Sequence, residues 1–231
     1  MAAQSGDRRT DLPADLGPLP GGHHGLSREQ IVDSQRERLL AAIADQVAAN
    51  GYRGTTITEV VKAASVSTRD FYELFDGKED CFLAAFDVVR AHLEDLIGAA
   101  VATASDWPHQ VIAALRATLE FFAGEPSLAR FCLLEAVSAT PAIAIRFREA
   151  VLDASPGLAE GRAELAQSDS ILPETEDAIL GGIVSLATRS IIANETDKLP
   201  ELLPDLVEFA LGPYLGAELA AGLAAQTRPS R

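Results

Sequence analysis

The stretch from Ser67 to Phe75 combines side chains that can hydrogen-bond with two aromatic rings. If the stretch is helical, Phe71 and Phe75 share one face, because residues four apart lie one above the other. The opposite side then presents Thr68, Arg69, Asp70, Tyr72 and Glu73. An arginine offers a planar fork of donors, and hydroxyl and carboxylate groups add further donors and acceptors. The outward residues are therefore suited to hydrogen bonding with another molecule.

A second short helix before this stretch would hold it in place. Ile57, Val60, Val61 and Ala64 repeat at helical spacing, and Thr55-Thr56 supplies a cap. Ser65-Val66-Ser67 interrupts the pattern, and Ser67 caps a helix from Thr68 to Leu74. Two short helices across such a turn are typical of a helix-turn-helix, whose later helix enters the major groove of DNA, although other small helical bundles show the same spacing. The shared core is expected to comprise Val60, Ala64, Val66, Phe71 and Phe75.

Helical periodicity continues on both sides of this motif. Apolar residues from Ile31 to Ala48 predict a long amphipathic helix that Asn50-Gly51 ends. Asp76 is predicted to cap the next helix, with Glu79 completing a variant capping box. That helix should run to about Ala104. Further helices are predicted near residues 108–123, 127–138, 141–166, 174–194 and 201–220, and with no strand alternation the fold class is all-α.

The charge of the chain restricts how it could bind nucleic acid. The 231 residues carry a net charge of −15, which argues against attraction over the whole surface. Residues 26–80 hold seven basic and ten acidic side chains, a net −3, whereas residues 81–231 carry −11. A DNA contact would therefore depend on a few positioned donors and be sensitive to salt. No apolar run is long enough for a membrane span and no secretory signal opens the chain, so we expect a cytoplasmic protein.

Catalytic chemistry is not indicated. No nucleophile with a base, metal-ligand cluster or glycine-rich phosphate loop is evident, so we expect no enzyme activity, no catalytic residue, no metal and no cofactor. Residues 1–25 are rich in proline and glycine and predict a flexible arm, in which His23 and His24 lack further metal ligands. Cys81 and Cys132 are interpreted as buried thiols; the alternative is a redox role for Cys81, since Lys78 and the helix dipole would favour its thiolate.

The residues around the motif resemble the DNA-binding domain of the TetR/AcrR family. The likeness rests on Asn50-Gly51-Tyr52-Arg53-Gly54-Thr55-Thr56, then Val66-Ser67, Phe71-Tyr72, Phe75 and Lys78-Glu79. It covers residues 33–92, with the motif at 56–75. It implies a helix-turn-helix domain at residues 26–80 and a helical ligand-binding and dimerisation domain at residues 81–231.

The resemblance implies a role for each matching residue. Thr56 would offer a hydroxyl and a backbone N–H to a DNA phosphate, and Tyr72 and Lys78 would contact phosphates as well. Base edges would be reached from the start of the later helix of the motif, Thr68–Leu74, which we call the reading helix. Its Arg69 could bind guanine O6 and N7. The plainer alternatives are an ordinary helix cap for Thr56 and a solvated arginine. The base-contacting set is Ser67, Thr68 and Arg69.

Three positions depart from the usual family pattern. Leu74 stands where the family often has His, which removes one polar donor. Ser65 stands where the turn commonly has glycine, and a left-handed backbone there would cost roughly 1 kcal/mol. Asp70 replaces a small or neutral residue at a position that faces DNA. It would either repel phosphate or accept a hydrogen bond from cytosine N4, and it therefore narrows the range of operators.

The C-terminal part is implied to bind a small-molecule effector in an apolar pocket. The candidate lining residues, each of which could instead be ordinary core, are Phe86, Val89, Leu93, Trp107, Leu119, Phe122, Phe131 and Phe147. Glu120 and Glu135 interrupt apolar stretches and would either contact a cationic ligand or lie on the surface.

The last two long helices are predicted to form a homodimer interface. Its candidate residues are Ile179, Ile183, Leu186, Leu206, Phe209 and Ala210. Gly181-Gly182 would let a partner helix approach; the alternative is that these glycines only kink the helix. The implied function is a repressor that a small apolar ligand releases from a pseudo-palindromic operator in double-stranded DNA. The alternative is a helical ligand-binding or protein-interaction dimer that does not bind DNA.

Overall fold

The computed structural model describes residues 27–164 and 171–228. The predicted arm at residues 1–25, with His23 and His24, lies outside them. Within the described residues the chain is helical and contains no strand, which confirms the predicted all-α fold. None of the described helices is both long and apolar enough to cross a membrane.

The first helix, α1, spans Arg28–Gly54 and begins with a capping box between Ser27 and Gln30. It is not continuous, because Gly51 has φ 75° and ψ 159°. That combination is open almost exclusively to glycine, since a Cβ would collide with the backbone. The predicted helix stop at Asn50-Gly51 is therefore present as a sharp kink, followed by one more short turn.

The helices α2 and α3 span Ile57–Ala64 and Thr68–Leu74. Thr56 caps α2 and Ser67 caps α3, as their sequence positions predicted. Between them Ser65 adopts the left-handed conformation, with φ 53° and ψ 42°. The turn therefore carries the strain expected of a residue other than glycine.

The long helix α4 spans Lys78–Val101, and its start corrects one prediction. Gly77, rather than Asp76, is the N-cap residue, and no side chain caps the helix. The Asp76 backbone N–H instead donates to the Asp80 carboxylate at 3.0 Å. The predicted capping box with Glu79 is thus replaced by a contact one residue further along. The C-terminal end lies three residues before the predicted one.

The helix α5, Trp107–Gly124, agrees with its predicted span of 108–123 to within one residue at each end, whereas the chain after it forms shorter helices than periodicity predicts. The predicted helices near 127–138 and 141–166 are each divided, and a π-helix, Arg130–Glu135, occupies the middle of the first. The remaining elements are α6 Pro126–Ala129, α7 Ala136–Ser138, α8 Pro141–Leu152, α9 Ser155–Ala159, a 3₁₀ helix Glu160–Glu164, α10 Thr175–Ile192, a 3₁₀ helix Thr196–Leu202, α11 Leu203–Leu215 and α12 Ala217–Gln226.

One hydrophobic core runs through α1 to α12. It also encloses a charged group, Glu176, which is only 4% exposed. Arg162 donates to both carboxylate oxygens of Glu176, at 2.9 and 2.7 Å, and the Tyr214 hydroxyl donates at 2.8 Å. Burial raises the pKa of Glu176, but these hydrogen bonds outweigh it and leave the pKa below its usual value. The network ties α10 to α11 and to the 3₁₀ helix before it.

Candidate DNA interface and C-terminal half

The helix α3 displays a polar side while its other side is anchored in the core. Phe71 is fully buried, and its ring centroid lies 5.6 Å from that of Phe75. Tyr72 is 56% exposed, and Arg69 is exposed with its Nε 3.0 Å from a Glu73 carboxylate oxygen. A surface ion pair of this kind contributes little to stability, so Arg69 is available to another partner. The sequence-predicted set Ser67, Thr68, Arg69 and Tyr72 is exposed on this one short helix and its cap.

The helix α1 fixes the orientation of α2 and α3 through two side chains that sequence reasoning missed. Arg38 Nη1 donates to the Ala64 carbonyl at 3.0 Å and so caps the end of α2. Gln35 Nε2 donates to the Asp70 carboxylate at 3.4 Å. Asp70, predicted to face DNA, is therefore half-buried and engaged by α1. No local signal marks these contacts, because polar residues on a long helix usually face solvent.

Thr56 is placed at the start of α2 as predicted, but its hydrogen-bonding groups are occupied. Its backbone N–H and its hydroxyl both donate to Glu59 Oε2, each at 2.8 Å. These hydrogen bonds lower the pKa of the exposed Glu59 carboxyl. The Glu59 carboxylate thus occupies the place at the helix N-terminus that a DNA phosphate would take.

Lys78 is engaged with the end of α1. Its Nζ donates to the carbonyls of Tyr52 at 2.7 Å and Thr55 at 2.8 Å. The ammonium also lies 4.1 Å from the centroid of the Tyr52 ring, a cation–π contact. Desolvation lowers the pKa of Lys78. An ammonium has three donors, so one N–H remains for a phosphate.

The residues predicted to line an effector pocket lie in the hydrophobic core. Phe86, Val89, Trp107, Leu119, Phe122 and Phe131 are buried, and Leu93 and Phe147 are partly buried against them. Two open clefts are lined by other residues. One, of about 440 Å³, lies between the end of α4 and α5 and includes Glu120; the other, of about 570 Å³, lies between α1, α6 and the end of α10. Apolar character alone does not distinguish pocket from core.

The predicted dimer residues are divided between the interior and the surface. Ile179, Leu206 and Ala210 are buried within the protomer, which leaves them no free surface for a partner. Phe209 is 46% exposed, and Ile183 and Leu186 are partly exposed. The Phe209 ring also fills the space beside Gly182, where a Cβ would lie 2.8 Å from a ring carbon. The missing side chain at Gly182 therefore makes room for α11 of the same chain and not for a helix of a partner.

Cys81 is fully buried, and burial raises its pKa to about 12. The thiol is therefore protonated at neutral pH, which favours packing over the alternative of a redox role. Cys132 is buried as well, and desolvation raises its pKa. Among the described residues no group of His, Cys, Asp and Glu is arranged to hold a metal ion.

The helices α2 and α3 present polar residues, and α4 attaches them to the larger helical half, which α5 to α12 form. This is the helix-turn-helix arrangement that is typical of DNA-binding proteins. Residues 39–85 match the family "Bacterial regulatory proteins, tetR family". The N-terminal part of the chain is therefore similar to the DNA-binding domain of TetR-family regulators. The comparison with curated proteins found no significant match.

Solved structures of TetR-type regulators share the fold of about three quarters or more of the chain. The fatty acid degradation regulator FadR from Bacillus halodurans is 19% identical, with a TM-score of 0.67, covering 76% of this chain and 97% of its own. A putative TetR-family regulator from Syntrophomonas wolfei is 19% identical, with a TM-score of 0.66. The match covers 80% of this chain and 96% of the Syntrophomonas chain. FadR from Bacillus subtilis, solved in complex with stearoyl-CoA, is 16% identical, with a TM-score of 0.62. The match covers 78% of this chain and 97% of the FadR chain. At these identities the likeness concerns the fold.

Proposed function

We propose that this regulator is a homodimeric repressor that a small apolar ligand releases from a pseudo-palindromic operator. The observation that carries the proposal is the exposed polar side of α3, which a buried Phe71 anchors in a TetR-family domain. A helix of this kind reads base edges in the major groove through the residues of its N-terminal end.

The proposed contacts divide into base reading and phosphate positioning. Ser67, Thr68 and Arg69 lie at the first turn of α3 and would read bases, with Arg69 bound to a guanine. Tyr72 would donate its hydroxyl to a phosphate. Thr56 and Asp70 would act only after a change of partner, because each is engaged within the protomer. Lys78 would use the one N–H that its two carbonyl contacts leave free.

The proposed dimer pairs α10 and α11 of two protomers. Phe209 supplies the exposed aromatic side chain at this face, with Ile183 and Leu186 beside it. A two-fold axis there would place two reading helices about 34–36 Å apart, one turn of DNA. In each protomer we propose that reading is assigned to residues 26–80 and effector binding to residues 81–231, so that α4 belongs to both parts.

The proposed effector is a molecule with a long apolar portion. Its support is the Bacillus subtilis neighbour in complex with stearoyl-CoA together with the apolar interior of the larger half. We propose that its chain inserts among the aromatic residues predicted as pocket lining, such as Phe86 and Phe147, whose ring centroids lie 6.4 Å apart. Stearoyl-CoA is therefore the first ligand to test.

The test begins with selection of genomic DNA fragments by the purified protein. The best fragment is then titrated by fluorescence anisotropy at several salt concentrations, with and without stearoyl-CoA. Arg69→Ala should relax discrimination at one base position by about 1–3 kcal/mol. Tyr72→Phe should weaken binding to all sequences alike. Arg148→Ala, an exposed arginine on α8, is the matched control and should leave binding unchanged.

A second candidate function is an interaction dimer that does not bind DNA. It is favoured by the engagement of Thr56 by Glu59 and of Lys78 by two carbonyls, which leaves few free donors. Absence of any selected fragment at low salt, from a protein that remains dimeric, would support this candidate and refute the repressor. Salt-dependent binding to a pseudo-palindrome that both Arg69→Ala and Tyr72→Phe impair would refute the interaction dimer.

A further inference from the structure

The larger helical half holds the end of α1 through two side chains of one segment, the π-helix Arg130–Glu135. Arg130 Nε donates to the Ala48 carbonyl at 3.1 Å. At the other end of the segment, Glu135 Oε2 accepts the Tyr52 backbone N–H at 2.9 Å. The first contact lies before the kink at Gly51 and the second directly after it. Together they bind both sides of the kink.

The π-helical winding is what allows both residues to reach α1. In an α-helix, residues five apart are about 140° apart around the axis, because each residue turns the helix by about 100°. In a π-helix the hydrogen bonds join residues five apart, here the Ala136 N–H and the Phe131 carbonyl. Arg130 and Glu135 therefore share a face only in this winding. Short π-helical segments of this kind are rare in proteins, and those that do occur are frequently found at functional sites.

Tyr52 passes the contact on to the start of α4. Its N–H is bound by Glu135, and its carbonyl is bound by Lys78 Nζ at 2.7 Å. Its ring packs edge-on against Phe82, with centroids 5.6 Å apart, and Phe82 lies 4.2 Å from the ring of Phe131, which belongs to the π-helix. A displacement of the π-helix thus acts on Tyr52 through both the hydrogen bond and the ring stack.

Glu135 and Gly51 are also matched in shape. A Cβ on Gly51 would lie 3.3 Å from Glu135 Oε2, so the carboxylate packs directly on the bare backbone of the kink. The sequence predicts Glu135 at the surface or beside a cationic ligand. Its carboxylate is instead directed at the DNA-binding part of the same chain.

We infer that Arg130 and Glu135 are positioning residues for DNA reading, which set the orientation of the reading domain through the kink of α1. The inference rests on the proposed function and deepens it by naming the contact through which the larger half controls the reading helix. Loss of the π winding would move Glu135 off the face that meets α1, so that both anchors cannot hold at once. The reading domain, residues 26–80, then turns about Gly51. The two reading domains of a dimer would lose their fixed spacing.

The test compares Glu135→Ala, Glu135→Gln and Arg130→Ala, with Glu120→Ala as the matched control because Glu120 is an exposed glutamate in α5 of the same half. The first readout is the hydrogen-exchange rate of the Tyr52 amide, which is measured by NMR on the protein without DNA. Glu135→Ala should speed this exchange roughly 10- to 100-fold, the expected loss for a hydrogen bond to a charged group. Glu135→Gln keeps an acceptor oxygen and should retain most of the protection. Glu120→Ala should exchange like the wild type.

The second readout is affinity for the selected operator and for versions with one base pair added to or removed from the centre. Glu135→Ala and Arg130→Ala should each weaken binding to the natural spacing roughly tenfold and reduce the preference for that spacing. Because both residues act through one orientation, the double variant should be little worse than the worse single variant. A residue that only stabilises the fold would weaken all spacings equally and add its effect to the other.

The outcomes separate the inference from the proposed function. Wild-type binding to an operator, with Glu135→Ala indistinguishable from Glu120→Ala in Tyr52 exchange and spacing preference, would overturn the inference alone. Absence of operator binding by the wild type would overturn the proposed function. Should Glu135→Ala fail to fold, Arg130→Ala and Glu135→Gln give the same comparison, and equal effects of these two on spacing would contradict the expected rescue by glutamine.

Discussion

Replacement of Gly51 by alanine should destabilise the protein, because the kink requires a backbone that alanine rarely adopts. The observed φ of 75° and ψ of 159° lie in a region that costs a residue with a Cβ about 1–3 kcal/mol. The substitution also reduces the conformational entropy of the unfolded chain, which stabilises the folded protein by about 0.4–1 kcal/mol. The added Cβ, at 3.3 Å from Glu135 Oε2, asks the carboxylate to move by a few tenths of an ångström. The difference between these ranges is a net loss of about 0–2.6 kcal/mol, with a midpoint of about 1.3 kcal/mol.

The assay is urea unfolding followed by circular dichroism, at one fixed protein concentration because a dimer's stability depends on it. Gly98→Ala is the matched control: Gly98 lies inside α4 and a Cβ there meets nothing within 4 Å. Alanine at that exposed helical position should stabilise by about 0.5–1 kcal/mol. The two glycine variants should thus shift in opposite directions. If Gly51→Ala were as stable as Gly98→Ala, the argument that a left-handed backbone holds the kink would be refuted.

Two further predictions concern strain and pH. Ser65→Gly relieves the left-handed conformation at φ 53°, which costs about 1–2 kcal/mol, but it also frees the unfolded chain by about 0.4–1 kcal/mol, so the net stabilisation in the same urea assay should be about 0–1.6 kcal/mol. Asn194→Gly should be less stabilising, since asparagine tolerates its φ of 58°, and equal effects of the two substitutions would contradict this explanation. The lowered pKa of Glu176 contributes stability that is present above the ordinary value of 4.5 and is lost as pH falls through the folded-state pKa. The free energy of unfolding should therefore decline more steeply below pH 4.5 in the wild type than in Glu176→Gln, and parallel pH profiles would rule out this role.

Features that depend on neighbours in the chain could be predicted from the sequence. Thr56 and Ser67 cap their helices because the hydroxyl bonds a backbone N–H three residues later. The glycine at position 51 marks the kink for an equally local reason. The polar side of α3 follows from the burial of Phe71 and Phe75 at helical spacing. Each of these is decided within about one helical turn.

Contacts between distant segments could not be predicted in this way. Glu135 and Tyr52 are 83 residues apart, and Lys78 reaches a carbonyl 26 residues away. A single sequence shows the charge of these side chains but not the segment they meet. The π-helix was missed because its apolar residues also fit an α-helix at nearly every position.

The expected dimer face shows the same limit for apolar residues. Leu206 and Phe209 lie on one helix, yet the first is fully buried and the second is half exposed. Both are apolar, so composition assigns them to the same face. Only the packing of α11 against α10 separates the residue that fills the protomer from the one that remains accessible to a partner.

Under the proposed function, the capping box at α2 affects the kinetics of DNA recognition. A phosphate that arrives at Thr56 meets a carboxylate that is tethered three residues away, and a short tether gives such a group an effective concentration in the millimolar range. An isolated, weak phosphate contact is displaced quickly by this built-in competitor. A duplex that engages the rest of the reading helix holds its phosphate long enough to keep Glu59 out. For DNA that docks here, the competitor thus shortens the residence time on wrong sequences more than on the right one.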